Sequence, residues 1–119
     1  MYPTRAGRLA QQIQQEVATI IHQELKDPGL GFVTITRATL SPDGHYAKVF
    51  FSCLGGEAER QRSQEVLDRS IRFVHGLMKK RLRLKMTPIL EFRYDESIEG
   101  TIGLEQTFEQ LRRPPQQDE

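Results

Sequence analysis

The chain has 119 residues, 37% of them hydrophobic and 28% charged, and a formal net charge of +1. This length and apolar fraction suit one domain with one modest core. No apolar run approaches the roughly 18 residues that a membrane span needs, and the first residues lack the apolar block of a secretory signal, so we expect a cytoplasmic protein without membrane contact. A single cysteine, Cys53, excludes an internal disulfide framework, and the three histidines lack metal-ligand spacing, so we expect no metal and no cofactor.

The first predicted element is an amphipathic helix between residues 4 and 26. Its apolar residues recur at spacings of three and four, and the Thr4 hydroxyl is placed to cap the first turn. Residues 27–31 then end the helix, because Pro28 removes a backbone donor and two glycines permit positive φ. The apolar stripe of this helix consists of Leu9, Ile13, Val17, Ile20, Ile21 and Leu25.

Two strands joined by a tight turn are predicted next. Residues 32–40 are rich in β-branched side chains, and Tyr46–Cys53 is rich in other residues that favour strands. The segment between them, SPDG at residues 41–44, has the composition of a turn. We therefore expect an antiparallel hairpin.

A second helical pattern covers residues 57–84, after two glycines end the hairpin. Val66, Ile71, Val74 and Met78 belong to its apolar face, and the region is long enough for two helices. Pro88 then begins a third strand at residues 89–94, since proline fits a strand only at its first position or on an edge.

The order α-β-β-α-β, with a last helical region long enough to be divided, predicts an α+β fold. Its helices should pack on one face of a three-stranded sheet, because only then can a chain of this size close a core. We expect this domain to span residues 1–97. Residues 98–119 form an acidic tail, for which we predict a short helix around Leu104, Phe108 and Leu111, followed by a disordered end.

The small net charge hides an uneven distribution along the chain. Residues 69–93 include eight basic residues and one acid, a local charge of +7, whereas residues 95–119 include seven acids and two arginines, a local charge of −5. On a helical wheel the basic residues gather opposite the apolar face. This basic stripe consists of Arg69, Arg72, Lys79 and Arg83, together with Gly76, which permits a close approach of another backbone.

A stripe of this kind predicts a surface that binds a polyanion, with cations about one helical turn apart. The charge alone is equally compatible with an ordinary solvated helix face. No Glu or Asp stands between Arg72 and Lys85, whereas a merely soluble helix interleaves its signs, and this favours binding.

Further basic residues lie near the stripe. Lys80 and Lys85 flank it, and Arg5 and Arg8 of the first helix are candidates for the same surface. Arg93 extends the surface if its side of the third strand faces solvent. Arg81 also flanks the stripe but points nearer the apolar face, where covering of the core edge by its aliphatic stem is an equally good interpretation.

Other functions find less support in the sequence. Most aromatic residues should be core, and we do not expect a base-stacking sheet face of the RNA-recognition type, because that mode needs an exposed aromatic pair on adjacent central strands within a βαββαβ order, which this chain lacks. A nucleophile at Cys53 would lack a base fixed nearby, and the motif GTIG at residues 100–103 lies among acids without opening a helix. A module whose basic helix binds an acidic protein surface remains the alternative to RNA binding.

Three segments in order carry a resemblance to a known family. They are KDPGLGFVTIT at residues 26–36, DGHYAKVF at residues 43–50 and LRLKMTPILEFRYDES at residues 82–97. Together they resemble ribosome-binding factor A over residues 5–97. The resemblance implies a type II K-homology fold in which a kink with the pattern Ala-x-Gly separates two helices. The matching positions here are Ser70, Ile71 and Arg72, so either the kink is milder or the helix is straighter than in the family.

The resemblance further implies a non-enzymatic factor that binds the maturing 30S ribosomal subunit through 16S rRNA. It implies roles in late subunit maturation, in processing of the 5′ end of 16S rRNA and in growth in the cold, with ribosome-assembly GTPases as functional partners. We expect a monomer that contacts RNA backbone more than base edges. The RNA-binding residues that we predict are Arg5, Arg8, Arg69, Arg72, Lys79, Lys80, Arg83 and Lys85.

Overall fold

The computed structural model describes residues 5–97, which form three helices and three strands. In chain order these are α1 (Arg5–Glu24), β1 (Val33–Leu40), β2 (Tyr46–Cys53), α2 (Glu57–Arg69), α3 (Ile71–Leu82) and β3 (Ile89–Tyr94). The predicted α+β fold is confirmed, including the order of its elements and the bounds of β2 and β3. The predicted cap at Thr4 and the predicted tail at residues 98–119 lie outside the described residues. None of the described helices combines the length and the apolar character needed to cross a membrane.

The three strands form one sheet with β2 in the centre. β1 and β2 pair antiparallel, as the predicted hairpin requires, and β3 lies parallel to β2. The turn between β1 and β2 depends on Gly44, whose φ of 78° is a left-handed conformation that glycine adopts without strain. The Asp43 carboxylate accepts hydrogen bonds from the Ser41 hydroxyl and the His45 backbone N–H, and these contacts fix the turn.

The helices cover one face of the sheet, so each strand buries alternate side chains. In β2, Ala47, Val49 and Phe51 are buried, whereas Tyr46 and Lys48 point away from the helices. The other face of the sheet is left uncovered within residues 5–97. The core between the sheet and the helices consists of Ile13, Val17, Ile20, Ile21, Val33, Ile35, Ala47, Val49, Phe51, Leu67, Val74, Met78, Leu90 and Phe92.

The second helical region is divided at Ser70, which stands between α2 and α3. Ser70 has φ −99° and ψ 1°, and its backbone N–H donates to the carbonyls of Val66 and Leu67. Its side chain is buried, so a small residue fits the break. A single helical wheel across this break is therefore wrong, because Arg69 belongs to α2 and the rest of the basic stripe follows the break. Arg72 has helical backbone inside α3 and needs none of the freedom of a glycine.

A buried carboxylate, Asp95, ties the end of β3 to β1. It accepts hydrogen bonds from the Thr36 hydroxyl and from both the backbone N–H and the hydroxyl of Ser97, and the Arg37 Nε lies 3.3 Å from it. Burial alone would raise the pKa of Asp95, but the hydrogen bonds from Ser97 and Thr36 and the charge of Arg37 outweigh it and lower the pKa to about 2. This network also fixes the irregularity in β1 between Ile35 and Arg37.

Candidate nucleic-acid interface

A group of exposed cations lies along α3 and in the loop that follows it. Arg72 and Lys79 are seven residues apart on α3, so they share one side of the helix and lie about 10 Å apart along its axis. Val74 and Met78 are fully buried against the core and hold this side of α3 toward solvent. The five exposed cations, which we call the α3 basic surface, are Arg72, Lys79, Lys80, Arg83 and Lys85.

The charges of the α3 basic surface are not neutralised by any acidic group within residues 5–97. Within residues 5–97, none of the five cations lies within salt-bridge distance of an acidic group. Asp68 stands four residues before Arg72, but it lies on α2 beyond the break and accepts a hydrogen bond from Gln64. All five cations therefore remain available to an anionic ligand.

Stabilisation of α3 itself accounts for only part of this surface. Cations in the last turn, such as Lys79 and Lys80, interact favourably with the negative end of the helix dipole. Arg72 lies in the first turn, at the positive end, where the same interaction opposes a cation by about 0.3–1 kcal/mol. No acidic residue compensates for it in that turn. Binding of an external anion explains the position of Arg72, whereas helix stability does not.

Arg83 occupies a strained position at the end of α3. Its backbone N–H donates to the Lys79 carbonyl at 3.0 Å, and its φ of 54° is the only left-handed conformation of a non-glycine residue within residues 5–97. Such a conformation costs about 1 kcal/mol for a residue with a Cβ atom, and helices commonly place glycine there. A long cation at this position indicates that its side chain serves contacts outside the helix.

Arg69, which the sequence analysis assigned to the same stripe, is engaged inside the protein. Its guanidinium lies 2.8 Å from the Asp27 carboxylate, which also accepts a hydrogen bond from the Gly29 backbone N–H. The Gly29 hydrogen bond and the Arg69 contact lower the pKa of Asp27. Arg69 thus holds the loop after α1 against α2, and we leave it out of the candidate interface.

Arg81 also has an internal role, which its guanidinium provides. Its guanidinium bridges Glu16 at 3.0 Å and Glu24 at 3.1 Å, so the end of α3 lies beside the second half of α1. The hydrogen bonds that Arg81 donates to Glu16 and Glu24 raise the pKa of Arg81, although partial burial opposes them. These contacts fix the orientation of α3 and thereby of its basic surface.

Arg5 and Arg8 lie on the first turns of α1 and are exposed. Arg8 is eight residues before Glu16, which corresponds to about 12 Å along the axis, and Glu24 lies farther still. Since Arg81 contacts α1 between Glu16 and Glu24, these contacts do not bring Arg5 and Arg8 together with the end of α3.

The uncovered face of the sheet carries residues that the sequence analysis passed over. Tyr46 and Ile89 are each 57% exposed, and Met86 is 46% exposed. The signal was present in the alternation of β2, where Tyr46 and Lys48 are interleaved with core residues, but the aromatic residues of the strands were mostly assigned to the core. Arg93 does face solvent, and it pairs with Glu91 at 2.9 Å.

Two kinds of catalytic site, a cysteine nucleophile and a metal centre, can be checked among the described residues. Burial raises the pKa of the Cys53 thiol, which disfavours the thiolate that a nucleophile needs. Within residues 5–97 no three His, Cys, Asp or Glu residues are grouped to hold a metal ion.

Comparisons with known proteins agree with these observations. A family model described as Ribosome-binding factor A matches residues 5–108. A ribosome-binding factor A of Thiobacillus denitrificans is 40% identical over 105 residues, which cover 88% of this chain and 85% of the relative. Among solved structures, a candidate ribosome-binding factor A of Thermotoga maritima, determined by solution NMR, gives a TM-score of 0.69 at 38% identity and covers 77% of this chain and 89% of that chain.

A second structural neighbour is the ribosome-binding factor A of Thermus thermophilus, fitted as a homology model into a cryo-electron microscopy map of its complex with the 30S subunit. It gives a TM-score of 0.59 at 29% identity and covers 69% of this chain and 86% of that chain. The family match, the identity to the relative and the shared structure agree over most of the chain. This protein belongs to the ribosome-binding factor A family.

Proposed function

We propose that this protein is a non-enzymatic assembly factor that binds the maturing 30S ribosomal subunit through 16S rRNA. The observation that carries the proposal is the α3 basic surface. Its five cations have no acidic partner within the described chain, and one of them, Arg72, lies at the positive end of the α3 dipole, where a cation destabilises the helix. The Thermus thermophilus relative in complex with the 30S subunit supports this choice of partner.

The geometry of α3 favours contacts to the RNA backbone. Arg72 and Lys79, on one side of the helix, are spaced to neutralise separate phosphates, while Lys80, Arg83 and Lys85 extend the positive surface at the end of α3. Gly76 lies on the same side, and a Cβ atom added there would meet no other atom within 4 Å. The missing side chain leaves room for a sugar-phosphate backbone close to α3. Specificity then comes from RNA shape more than from base edges.

The cellular role that we propose follows the family. The protein would assist late maturation of the 30S subunit and processing of the 5′ end of 16S rRNA, and it would support growth in the cold. It would act in the cytoplasm as a monomer, in functional association with GTPases of ribosome assembly. No cofactor enters this scheme, because the proposed contacts need only charge and shape.

Co-sedimentation with purified 30S, 50S and 70S particles over a salt series tests this proposal. We expect binding to 30S subunits alone, with an affinity that falls steeply between about 50 and 200 mM salt. The triple variant Arg72→Glu, Lys79→Glu, Arg83→Glu should abolish it. Unchanged 30S association of the triple variant would contradict the proposal.

A matched pair of single variants separates a local contact from a general charge effect. Lys79→Glu and Arg62→Glu change the net charge equally, but Arg62 lies on α2 and pairs with Glu59 at 3.6 Å. Lys79→Glu should weaken 30S binding and reduce the salt slope by about one, whereas Arg62→Glu should leave both nearly unchanged. Competition with bare 16S rRNA tests the alternative, in which the basic helix binds an acidic protein surface. If bare 16S rRNA does not displace the protein from 30S subunits, the α3 basic surface would be assigned to an acidic protein partner.

A further inference from the structure

The face of the sheet that the helices leave uncovered is both cationic and aromatic. The strand register and the burial pattern identify the residues whose side chains point outward on this face, and we call this set of residues the open face. Three cations and one acid are among them; Arg37 is paired with the buried Asp95 and Arg93 with Glu91, so Lys48 is the cation of this face that forms no salt bridge within residues 5–97. The open face consists of Arg37 and Thr39 of β1, Tyr46, Lys48 and Phe50 of β2, and Ile89, Glu91 and Arg93 of β3.

The two aromatic rings of the open face differ in availability. Phe50 is half-buried, and the Arg37 guanidinium lies 3.8 Å from the centre of its ring, so one side of the ring is already covered. Tyr46 stands four residues earlier in the central strand, about 13 Å away, and is 57% exposed. Ile89 is its partner in β3 and is equally exposed. Tyr46 therefore offers a free ring beside an aliphatic side chain.

Lys48 supplies an unpaired charge about 7 Å from Tyr46 on the same face. Its cross-strand neighbour in β3 is Glu91, but the Glu91 carboxylate forms a salt bridge with Arg93 at 2.9 Å. The nearby Asp43 carboxylate is occupied by Ser41 and His45. Within residues 5–97 Lys48 forms no salt bridge, so this end of the open face combines an available ring with an available cation.

This end of the open face adjoins the α3 basic surface. The Ile89 backbone N–H donates to the His45 carbonyl at 2.9 Å, which anchors the start of β3 beside Tyr46. Lys85 is four residues before Ile89, so their Cα atoms are at most about 14 Å apart. Met86, between them in the chain, is exposed and lies near the Gly44 turn. A nucleic-acid strand leaving α3 could therefore continue onto the sheet.

We infer that the open face is a second RNA-binding surface, which holds single-stranded RNA with a base stacked on Tyr46 and a phosphate near Lys48. This inference rests on the proposed function and extends it, because the α3 basic surface accounts for backbone contacts only. The unpaired Lys48 beside the exposed Tyr46 ring favours a polyanion with stacking bases over an apolar protein or a second copy of the chain. The stacking mode tolerates any base, since every base has a π-face.

Fluorescence anisotropy with labelled oligouridylate and oligoadenylate, each about 12 nucleotides long, tests the inference. Tyr46→Ala should weaken binding of both by about tenfold, and Lys48→Ala by a smaller factor that disappears at high salt. Tyr46→Phe preserves the ring and should bind within about twofold of the parent chain. Phe32→Ala is the matched control, because Phe32 is 80% exposed but precedes β1 and lies outside the open face.

Several outcomes would overturn the inference. They are equal affinity of Tyr46→Ala and the parent chain, failure of the parent chain to bind either oligonucleotide at low salt, and a loss of binding in Phe32→Ala as large as that in Tyr46→Ala. A parent dimer that Tyr46→Ala dissociates in analytical ultracentrifugation would assign the face to a second copy.

Co-sedimentation with 30S subunits keeps this test apart from that of the proposed function. Tyr46→Ala leaves the α3 basic surface intact and should retain the salt slope of 30S binding. If the parent chain failed to bind 30S subunits but bound oligonucleotides through Tyr46, the proposed function would fall while the RNA-binding open face would stand.

Discussion

Replacing Asp95 by Asn removes a buried negative charge at the end of β3 without changing the shape of the side chain. The groups that contact this carboxylate through hydrogen bonds are donors, namely the Thr36 hydroxyl, the Arg37 Nε and the N–H and hydroxyl of Ser97. An Asn amide would turn its own NH2 donors toward at least one of these donors, so the substitution removes the charge and also leaves a buried polar group unsatisfied.

The lowering of the pKa of Asp95 gives the expected size of the loss in the free energy of unfolding. The pKa falls from 3.8 to about 2, and one pKa unit corresponds to about 1.4 kcal/mol, so the ionised carboxyl contributes about 2 kcal/mol to the free energy of unfolding. This is a large share of the roughly 5–15 kcal/mol typical of a small domain. Because the pKa is lower in the folded state, the contribution is complete above pH 3.8 and disappears as the pH falls toward 2.

Urea denaturation followed by circular dichroism measures both consequences. At about pH 7, Asp95→Asn should lower the free energy of unfolding by about 2 kcal/mol, and the remaining stability should depend less on pH below 4 than it does in the parent chain. Asp68→Asn is the control, since Asp68 is exposed on α2 and should change stability by less than about 0.5 kcal/mol. Equal effects of the two substitutions, or an unchanged acid dependence in Asp95→Asn, would refute the reasoning.

Three further predictions concern backbone conformation, the basic surface and the thiol. Gly44→Ala should lower the free energy of unfolding by about 1 kcal/mol, because φ at Gly44 is 78°. Gly76→Ala, in the open interior of α3, should instead raise the free energy of unfolding by about 0.5–1 kcal/mol. Urea denaturation in which both variants shift in the same direction would contradict this. Arg83→Gly should stabilise the chain by about 0.5–1 kcal/mol yet weaken 30S binding several-fold, and a gain in stability without loss of binding would remove Arg83 from the interface. Because burial raises the pKa of the Cys53 thiol, alkylation by iodoacetamide should be slower in the folded chain than in urea, and equal rates would show that the thiol is not protected.

The strands could be predicted from the sequence because their signals are local. Tyr46–Cys53 and Ile89–Tyr94 alternate apolar residues with others and are bounded by glycine, proline or turn residues, and the structure places them where they were predicted. The start of β1 was predicted one residue early, at Phe32, which lies in the loop with its side chain exposed. A hydrophobic, strand-forming residue at the edge of a run gives no sign of where the pairing begins.

Local sequence patterns do not mark the break between α2 and α3, which only the family resemblance located, at Ser70, Ile71 and Arg72. Neither glycine nor proline marks it, and Ser70 lies in a continuous helical pattern whose apolar residues fit both helices. Tertiary packing decides the break, since α2 lies against β3, where the Gln64 amide donates to the Phe92 carbonyl, while α3 packs against α1 through Arg81. Two helices that meet different partners change direction where a small buried residue allows it.

The same difference between local and distant contacts determines which cations of the basic stripe are free. A search for acids close in sequence does not find the partners of Arg69 and Arg81, because those partners are distant in the chain. The acids that engage Arg69 and Arg81 come from α1 and the loop after it, 42 residues away for Asp27 and 65 for Glu16. Only the folded chain separates cations that hold the helices together from cations that remain unpaired. Arg72 and Lys79 belong to the second kind, and charge reversal there should affect RNA binding far more than folding.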